Sequence, residues 1–169
     1  MSAYDGTDPS RPIYLAINGT IFDVSAGRRT YGPGGSYHVF AGRDATRAFV
    51  TGCFIEDRTD DLRGAELTFL PVEDDESEEL SSAEKKIRAE RGRREAKQKV
   101  IEEVKKWESF YGNSKKYFKV GMVLNSGKHT GPEPRLCEQA EKARPRRSRM
   151  NKYTKSKEER ASDAAGKPV

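Results

Sequence analysis

The chain has 169 residues, of which only 34% are apolar and 35% are charged. A fully folded globular protein is normally closer to half apolar, so part of this chain is predicted to stay solvated. No apolar run approaches the roughly 18 residues that indicate a membrane span, and the N-terminal residues lack the pattern of a secretory signal. Two cysteines, Cys53 and Cys137, are too few for a disulfide-rich framework.

The net charge of +5 is unevenly distributed along the chain. Residues 71–80 carry six acidic groups and no basic one, whereas residues 128–169 carry twelve basic and six acidic groups. Because residues 128–169 also contain few bulky apolar side chains, they are predicted to form a disordered basic extension. This extension either binds nucleic acid or an acidic membrane, or only keeps the protein soluble, and the interspersed glutamates favour the second interpretation.

The first half of the chain begins with a hairpin pattern. Two apolar runs, at 13–17 and 21–24, flank Asn18-Gly19, a pair that tolerates the positive φ angles of a tight hairpin turn. Three glycines and a proline at 32–35 then predict a tight turn with an exposed backbone. Such a turn lets a flat ligand approach the main chain, although an ordinary surface loop has the same composition.

Helical patterns follow this turn. Asp44 is predicted to cap a short helix over about 45–52, and a second short helical segment is predicted near 57–64. A long helix is predicted from Ser81 or Ser82 to about Tyr111. Its first half is charged on every face, so it is expected to project into water, whereas its second half has apolar side chains at helical spacing and is expected to pack on the domain. The segment 117–124 is a predicted closing strand.

The sequence contains no recognisable enzyme site. Two histidines are too few for most metal sites, and the two cysteines do not have metal-ligand spacing. No nucleophile elbow, phosphate loop or dinucleotide fingerprint is present. We therefore expect a binding protein and not an enzyme. The distinctive feature is that Tyr31 and Tyr37 bracket the glycine turn. A phenolate is a hard anionic ligand that suits ferric iron, and it is one of the few protein ligands of haem. From the residues alone, however, two tyrosines near glycines are more often packing or loop residues than ligands.

Two stretches resemble a known family. Residues 13–25 (IYLAINGTIFDVS) resemble the entry hairpin of the cytochrome b5-like haem/steroid-binding domain. Residues 27–47 (GRRTYGPGGSYHVFAGRDATR) resemble, more narrowly, the signature of the membrane-associated progesterone receptor family. The resemblance covers about 4–70 and 100–124 and implies an α+β fold, with a domain over 1–127, a charged helical insertion at about 72–99 and the tail from 128.

The resemblance also implies a haem site. It makes Tyr37 the tyrosinate ligand of the iron, and it makes Tyr31 a second pocket tyrosine that forms a hydrogen bond within the site. Lys116 and Tyr117 match a Lys-Tyr pair that contacts the haem propionates. Asp44 fits the pattern as well, mainly as a helix cap that fixes the pocket wall.

Two departures from the family pattern bear on these expectations. His38 directly follows the proposed ligand and is a rival ligand for the iron. The family usually has a further strand, and commonly a membrane-spanning helix, before the position of Tyr4. This sequence begins inside that pattern, which is expected of either a soluble variant or an incomplete chain.

The functional hypothesis is non-covalent binding of ferric haem b in a regulatory or haem-handling role. The family implies cytochrome P450 enzymes of sterol metabolism as partners, a steroid ligand, a haem-stacked homodimer and the endoplasmic reticulum as the location. A second hypothesis is a haem-free interaction module that recruits partners through the charged helix and the basic tail. A third is nucleic-acid binding by 142–157, which the interrupted charge pattern disfavours.

Overall fold

The computed structural model describes residues 1–74, 80–124 and 126–151. Three short strands form an antiparallel sheet in the order β1 (Tyr14–Ile17), β2 (Thr20–Asp23) and β3 (Phe118–Met122). Four helices accompany the sheet: α1 (Arg28–Tyr31), α2 (Thr46–Thr51), α3 (Ser82–Gly112) and α4 (Glu138–Ala143). Single 3-10 turns occur at Ser2–Tyr4, Ser25–Gly27, His38–Phe40 and Ala65–Thr68. This is the α+β architecture that the sequence predicts.

The hairpin forms as its sequence predicts. Asn18 and Gly19 take positive φ angles of 48° and 72°, and Tyr14 pairs with Asp23 while Ile17 pairs with Thr20. Strand β3, which is slightly shorter than the predicted 117–124, adds to β2 with a bulge between Ile21 and Phe22. The sheet therefore brings residues near position 20 beside residues near position 120.

The long helix α3 also follows its sequence signals. Ser81 caps it, and the Ser81 and Glu84 side chains satisfy each other's backbone amides in a capping box. Its first half is exposed, with Ile87 67% accessible, whereas Val104 and Tyr111 in the second half are buried. Ile101, which shares the predicted apolar spacing, lies 47% exposed, so the buried stripe is narrower than the spacing suggests.

The core lies between the sheet, α2 and the second half of α3. Buried side chains from each of these elements form one cluster, which comprises Ile13, Leu15, Ile17, Phe22, Val24, Tyr31, Phe40, Ala41, Ala45, Ala48, Phe49 and Tyr111. A smaller cluster joins α2 to α3 through Val50, Ala65, Val100 and Val104. One end of the main cluster is almost entirely aromatic, and the predicted tyrosines Tyr31, Tyr37 and Tyr117 lie there.

Two of the predictions from sequence are wrong. No helix forms over 57–64, because this loop is organised by the side chain of buried Arg47. The Arg47 guanidinium donates hydrogen bonds to the carbonyls of Asp61 (2.9 Å) and Arg63 (2.7 Å) and forms an ion pair with Asp57 (3.0 Å). The nearest helical turn is the 3-10 turn Ala65–Thr68.

The second wrong prediction concerns the C-terminal extension. Residues 128–151 are not disordered, since they include α4 and pack along the 70–74 segment, where Val72 bonds to the backbones of Pro145 (2.8 Å) and Arg147 (3.0 Å). A disulfide between Cys53 and Cys137 fixes the start of α4. Residues 152–169, and most of the acidic run, lie outside the described residues.

Candidate functional site

The glycine turn places two of the predicted tyrosines side by side. Tyr31 ends α1, and the chain then folds back so that the Tyr37 amide donates to the carbonyl of Thr30 at 2.9 Å. This return requires glycine at position 35, since a Cβ atom there would lie 2.2 Å from the Thr30 oxygen. The result is that the rings of Tyr31 and Tyr37 lie 6.0 Å apart between centroids.

Tyr31 is sealed inside the core by a third tyrosine. Its hydroxyl lies 3.0 Å from the hydroxyl of Tyr111 on α3, and both side chains are at most 2% exposed. Burial raises the pKa of Tyr31 well above its ordinary value, and the hydrogen bond with Tyr111 opposes that rise only in part. Burial and the same hydrogen bond both raise the pKa of Tyr111. Both side chains are therefore neutral phenols, and their hydroxyls are hydrogen-bonded to each other.

Tyr37 has a different environment. Its side chain is half-buried, and three phenylalanine rings surround it, namely Phe40 at 5.5 Å, Phe54 at 6.1 Å and Phe49 at 6.3 Å. All three meet the Tyr37 ring edge-on or nearly so. Within the described part of the chain, the Tyr37 hydroxyl forms no hydrogen bond, so it is the one phenol of this pair that is available to a ligand.

Tyr117 reaches the same region from the loop between α3 and β3, and Lys116 precedes it in that loop. The Tyr117 ring packs edge-on against Tyr31 at 5.7 Å and lies 5.8 Å from Tyr111. Gly27 makes room for it, since a Cβ atom there would lie 3.0 Å from the Tyr117 hydroxyl. Lys116 is exposed beside it and forms no ion pair within 1–74, 80–124 and 126–151, so its ammonium is available to a carboxylate at the edge of the site.

Asp44 is not brought to the tyrosines. Its carboxylate accepts hydrogen bonds from the Gly19 amide of the hairpin turn (2.9 Å) and from the Thr46 amide (2.9 Å) and hydroxyl at the start of α2. Burial is the largest influence on its pKa, which is raised. The residue in the cap position is Ala45, because α2 begins one residue later than predicted. Asp44 therefore precedes the cap and ties α2 to the hairpin.

His38, the rival ligand, faces a different part of the molecule. Its Nε2 atom lies 3.1 Å from the carbonyl oxygen of Asp5. Its side chain lines a cavity of about 230 Å³ together with Asp5, Arg43 and Arg58. The imidazole therefore contacts the backbone of the N-terminal segment. This contact favours Tyr37 over His38 as the candidate iron ligand.

Two members of the site were not recognised in the sequence. Tyr111 is the hydrogen-bond partner of Tyr31, and its only signal was the four-residue spacing from Trp107 on one face of the helix. Phe54 forms the exposed edge of the aromatic wall, with 39% of its surface accessible. An exposed aromatic residue in an irregular loop has no sequence signal that distinguishes it from an ordinary surface residue.

The residues present fit a flat, partly apolar ligand such as haem. Apolar aromatic rings form the wall, the Tyr37 phenol forms no hydrogen bond within the described residues, and Lys116 is an exposed cation in the loop before β3. No cluster of three histidine, cysteine or acidic side chains that could hold a metal ion exists in the described residues. A separate cavity of about 560 Å³, lined in part by Asp60, Arg63 and His129, includes none of the five predicted site residues.

Comparison with known proteins places this geometry in a family. The model of the cytochrome b5-like haem/steroid-binding domain matches residues 1–121, most of the chain. The zebrafish (Danio rerio) protein neuferricin is 57% identical over 56 residues, which cover 33% of this chain and 21% of neuferricin. Rice (Oryza sativa) membrane steroid-binding protein 2 is 46% identical over 85 residues, which cover 50% of this chain and 32% of that protein.

Two further relatives come from Arabidopsis thaliana. Its membrane-associated progesterone-binding protein 4 is 54% identical over 65 residues, which cover 38% of this chain and 26% of that protein. A solved Arabidopsis structure described as having a cytochrome b5-like fold is 34% identical and aligns with 73% of this chain and 84% of that chain, at a TM-score of 0.48.

The chain thus spans about a fifth to a third of the length of these curated relatives. Among the described residues, no helix has the length and apolar character needed to cross a membrane. The family match over residues 1–121 includes every residue of the tyrosine-lined site, from Tyr31 to Tyr117. The chain belongs to the cytochrome b5-like haem/steroid-binding domain family, in its membrane-associated progesterone receptor branch.

Proposed function

We propose that this domain binds ferric haem b with the phenolate of Tyr37 as its protein ligand to the iron. The observation that supports this most strongly is the contrast between the tyrosines. Tyr31 and Tyr111 hold each other as buried phenols, whereas Tyr37 lies half-buried at an aromatic wall without a hydrogen bond in the described residues. A ferric ion displaces the phenol proton and takes up the resulting anion.

The other residues have supporting roles in this proposal. Tyr31, fixed by Tyr111, holds the Tyr37 ring in place by packing against it. Lys116 pairs with a propionate at the edge of the site, where a charge-assisted hydrogen bond is partly shielded from water. Tyr117 provides the adjoining wall, and Asp44 positions α2 through the hairpin without touching the ligand.

The chemistry of the ligand indicates the role of the protein. An anionic phenolate stabilises the ferric over the ferrous state and therefore lowers the reduction potential of a bound haem. This disfavours routine electron transfer and favours a protein that senses, holds or hands over haem. We therefore propose a regulatory or haem-handling binding protein and not an enzyme.

Partners and location extend this proposal beyond the site. The rice relative is named as steroid-binding and the Arabidopsis relative as membrane-associated. By that likeness we propose a steroid as a second class of ligand and a membrane as the location. The finer proposals, which rest on the family resemblance of the sequence, are cytochrome P450 enzymes as partners, a haem-stacked dimer and the endoplasmic reticulum.

Hemin titration of purified wild-type protein, Tyr37→Phe and His38→Ala tests the ligand assignment. We expect wild type and His38→Ala to give the same high-spin ferric spectrum, and Tyr37→Phe to lose it. Tyr4→Phe is the matched control, because the Tyr4 ring stacks on Tyr14, with 4.4 Å between the ring centroids, and not on Tyr37. An unchanged spectrum in Tyr37→Phe would contradict the assignment.

One observation favours the second candidate, a haem-free interaction module. The first half of α3 exposes charges of both signs over several turns, and its only bulky apolar residue, Ile87, is 67% exposed. This surface suits a charged protein partner. The candidate predicts that hemin addition gives no Soret band and that binding to acidic surfaces weakens steeply with salt.

A further inference from the structure

The chain's only two cysteines join the edge of the aromatic site to the C-terminal segment. Cys53 follows Gly52, which ends α2 with a φ of 77°, and its side chain is 1% exposed. Cys137 lies 84 residues later and caps the N-terminus of α4. The disulfide is therefore a covalent connection between two segments that no strand or helix connects.

A second contact attaches the same C-terminal segment to α2. Arg47 is completely buried, and one nitrogen of its guanidinium donates to the carbonyls of Pro134 (3.2 Å) and Arg135 (3.4 Å). The other terminal nitrogen holds the loop after α2 through the carbonyls of Asp61 and Arg63. The segment 131–137 thus covers the side of α2 from which the Cys53 loop departs.

The residue after Cys53 is part of the aromatic wall. The Phe54 ring lies 5.0 Å from Phe40 and 6.1 Å from Tyr37. Phe54 belongs to a turn and not to a helix or strand, and the nearest backbone hydrogen bond of that turn runs from the Asp57 amide to the Cys53 carbonyl (3.0 Å). The position of Phe54 therefore depends on how firmly Cys53 is held.

We propose that the Cys53–Cys137 disulfide is a redox-sensitive switch that sets how tightly the tyrosine-lined site holds its ligand. With the bond intact, the C-terminal segment fixes Cys53 and keeps Phe54 against Tyr37. With the bond reduced, Arg47 still holds the Pro134 and Arg135 carbonyls, but Cys53 loses its covalent connection to the C-terminal segment. The 53–57 turn then loosens, and Phe54 no longer closes the wall. The effect on haem rests on the proposed function, whereas the loosening of the turn does not.

The reductant that fits this site is a dithiol. Cys137 is partly accessible and Cys53 is buried, so a thiolate of the reductant attacks the Sγ atom of Cys137 and Cys53 leaves as a thiolate that takes up a proton. The second thiol of the reductant then displaces Cys137 from the mixed disulfide. The protein gains two electrons and two protons, and the reductant becomes a disulfide.

Hydrogen exchange of the apoprotein tests the switch without haem. The Cys53→Ser/Cys137→Ser variant is compared with oxidised wild type by mass spectrometry of peptides from the 48–57 region. We expect faster exchange there in the variant and unchanged exchange in the β1–β2 hairpin, whose strands form no hydrogen bond with residues 131–149 in the described part of the chain. Equal protection of 48–57 in both proteins would overturn the proposal. If the variant does not fold, apoprotein reduced with a dithiol and desalted replaces it.

Hemin titration then tests the connection to the site, with no reductant present to react with the haem. We expect the double-serine variant to bind hemin about tenfold more weakly than oxidised wild type, in the usual range for coupling between distinct sites. Phe54→Ala should reproduce the weaker binding in oxidised protein. Equal hemin affinity of the variant and wild type would overturn the switch. If wild type does not bind hemin at all, the proposed function is overturned, and the hydrogen-exchange result alone decides the switch.

Discussion

The aromatic site has two walls that are built in different ways. The inner wall consists of Tyr31 and Tyr111, which are buried in the main core and hydrogen-bonded to each other. The outer wall ends in Phe54, which is 39% exposed and follows a disulfide-bonded cysteine in an irregular turn. The inner wall is fixed by the fold itself, whereas the outer wall depends on a segment from the far end of the chain. On the proposals above, the inner wall would determine the position of the ligand and the outer wall its retention.

Removal of the disulfide is expected to have the largest effect on stability. The bond closes a loop of 84 residues, and such a constraint on the unfolded chain stabilises the folded state by about 4 kcal/mol. The Cys53→Ser/Cys137→Ser variant should therefore show this loss in urea unfolding of the apoprotein. A loss below about 1 kcal/mol would contradict this expectation.

Alkaline pH should destabilise the inner wall. The pKa values of Tyr31 and Tyr111 are raised in the folded state, so the folded protein retains protons that the unfolded chain releases above about pH 10. The stabilisation that comes from these raised pKa values is fully present below about pH 10. Above that pH, the free energy of unfolding falls by about 1.4 kcal/mol per pH unit for each tyrosine. Urea unfolding from pH 9 to 11 measures this, and a Tyr111→Phe variant with an unchanged pH slope would contradict it.

The loss of one hydroxyl of the inner pair should have a smaller effect. Tyr111→Phe leaves the buried Tyr31 hydroxyl without its partner, and we expect a loss of about 1.5 kcal/mol at neutral pH. Tyr14→Phe is the control, since the Tyr14 side chain is only partly buried on the hairpin. Equal losses in the two variants would show that the hydrogen bond between the tyrosines contributes nothing specific.

Much of the fold could be predicted because its signals are local. The Asn18-Gly19 turn, the capping box at Ser81 and the glycine turn each follow from residues within a few positions of one another. The C-terminal segment could not be predicted in the same way. Its order comes from a disulfide and from a buried arginine, Arg47, and a charged side chain on a short helix is normally expected at the surface.

The site was predictable in part for the same reason. Tyr31 and Tyr37 lie on one continuous motif, whereas their neighbours Tyr111 and Phe54 come from a distant helix and an irregular loop. Asp44 belongs to the same motif in sequence but faces the hairpin, because Gly19 and Thr46 provide its hydrogen-bond donors. Proximity along the chain does not specify which face of the fold a side chain occupies.

Truncation of Phe54 should have the smallest effect on stability. Its ring is partly exposed, so Phe54→Ala should cost about 1 kcal/mol of unfolding free energy. The same variant should weaken hemin binding noticeably, because the ring forms the outer edge of the wall around Tyr37. Isothermal unfolding and hemin titration of one preparation measure both quantities, and a stability loss without weaker hemin binding would remove Phe54 from the site.

The central claim is that the Tyr37 oxygen is the protein ligand of ferric iron. The most direct measurement is electron paramagnetic resonance of the hemin complex, with wild type compared with Tyr37→Phe at equal protein and hemin concentrations. We expect a high-spin ferric signal in wild type and the same signal in His38→Ala. In Tyr37→Phe, this signal should be lost or replaced by the signal of unbound hemin. The same signal in Tyr37→Phe, or its loss in His38→Ala alone, would contradict the account.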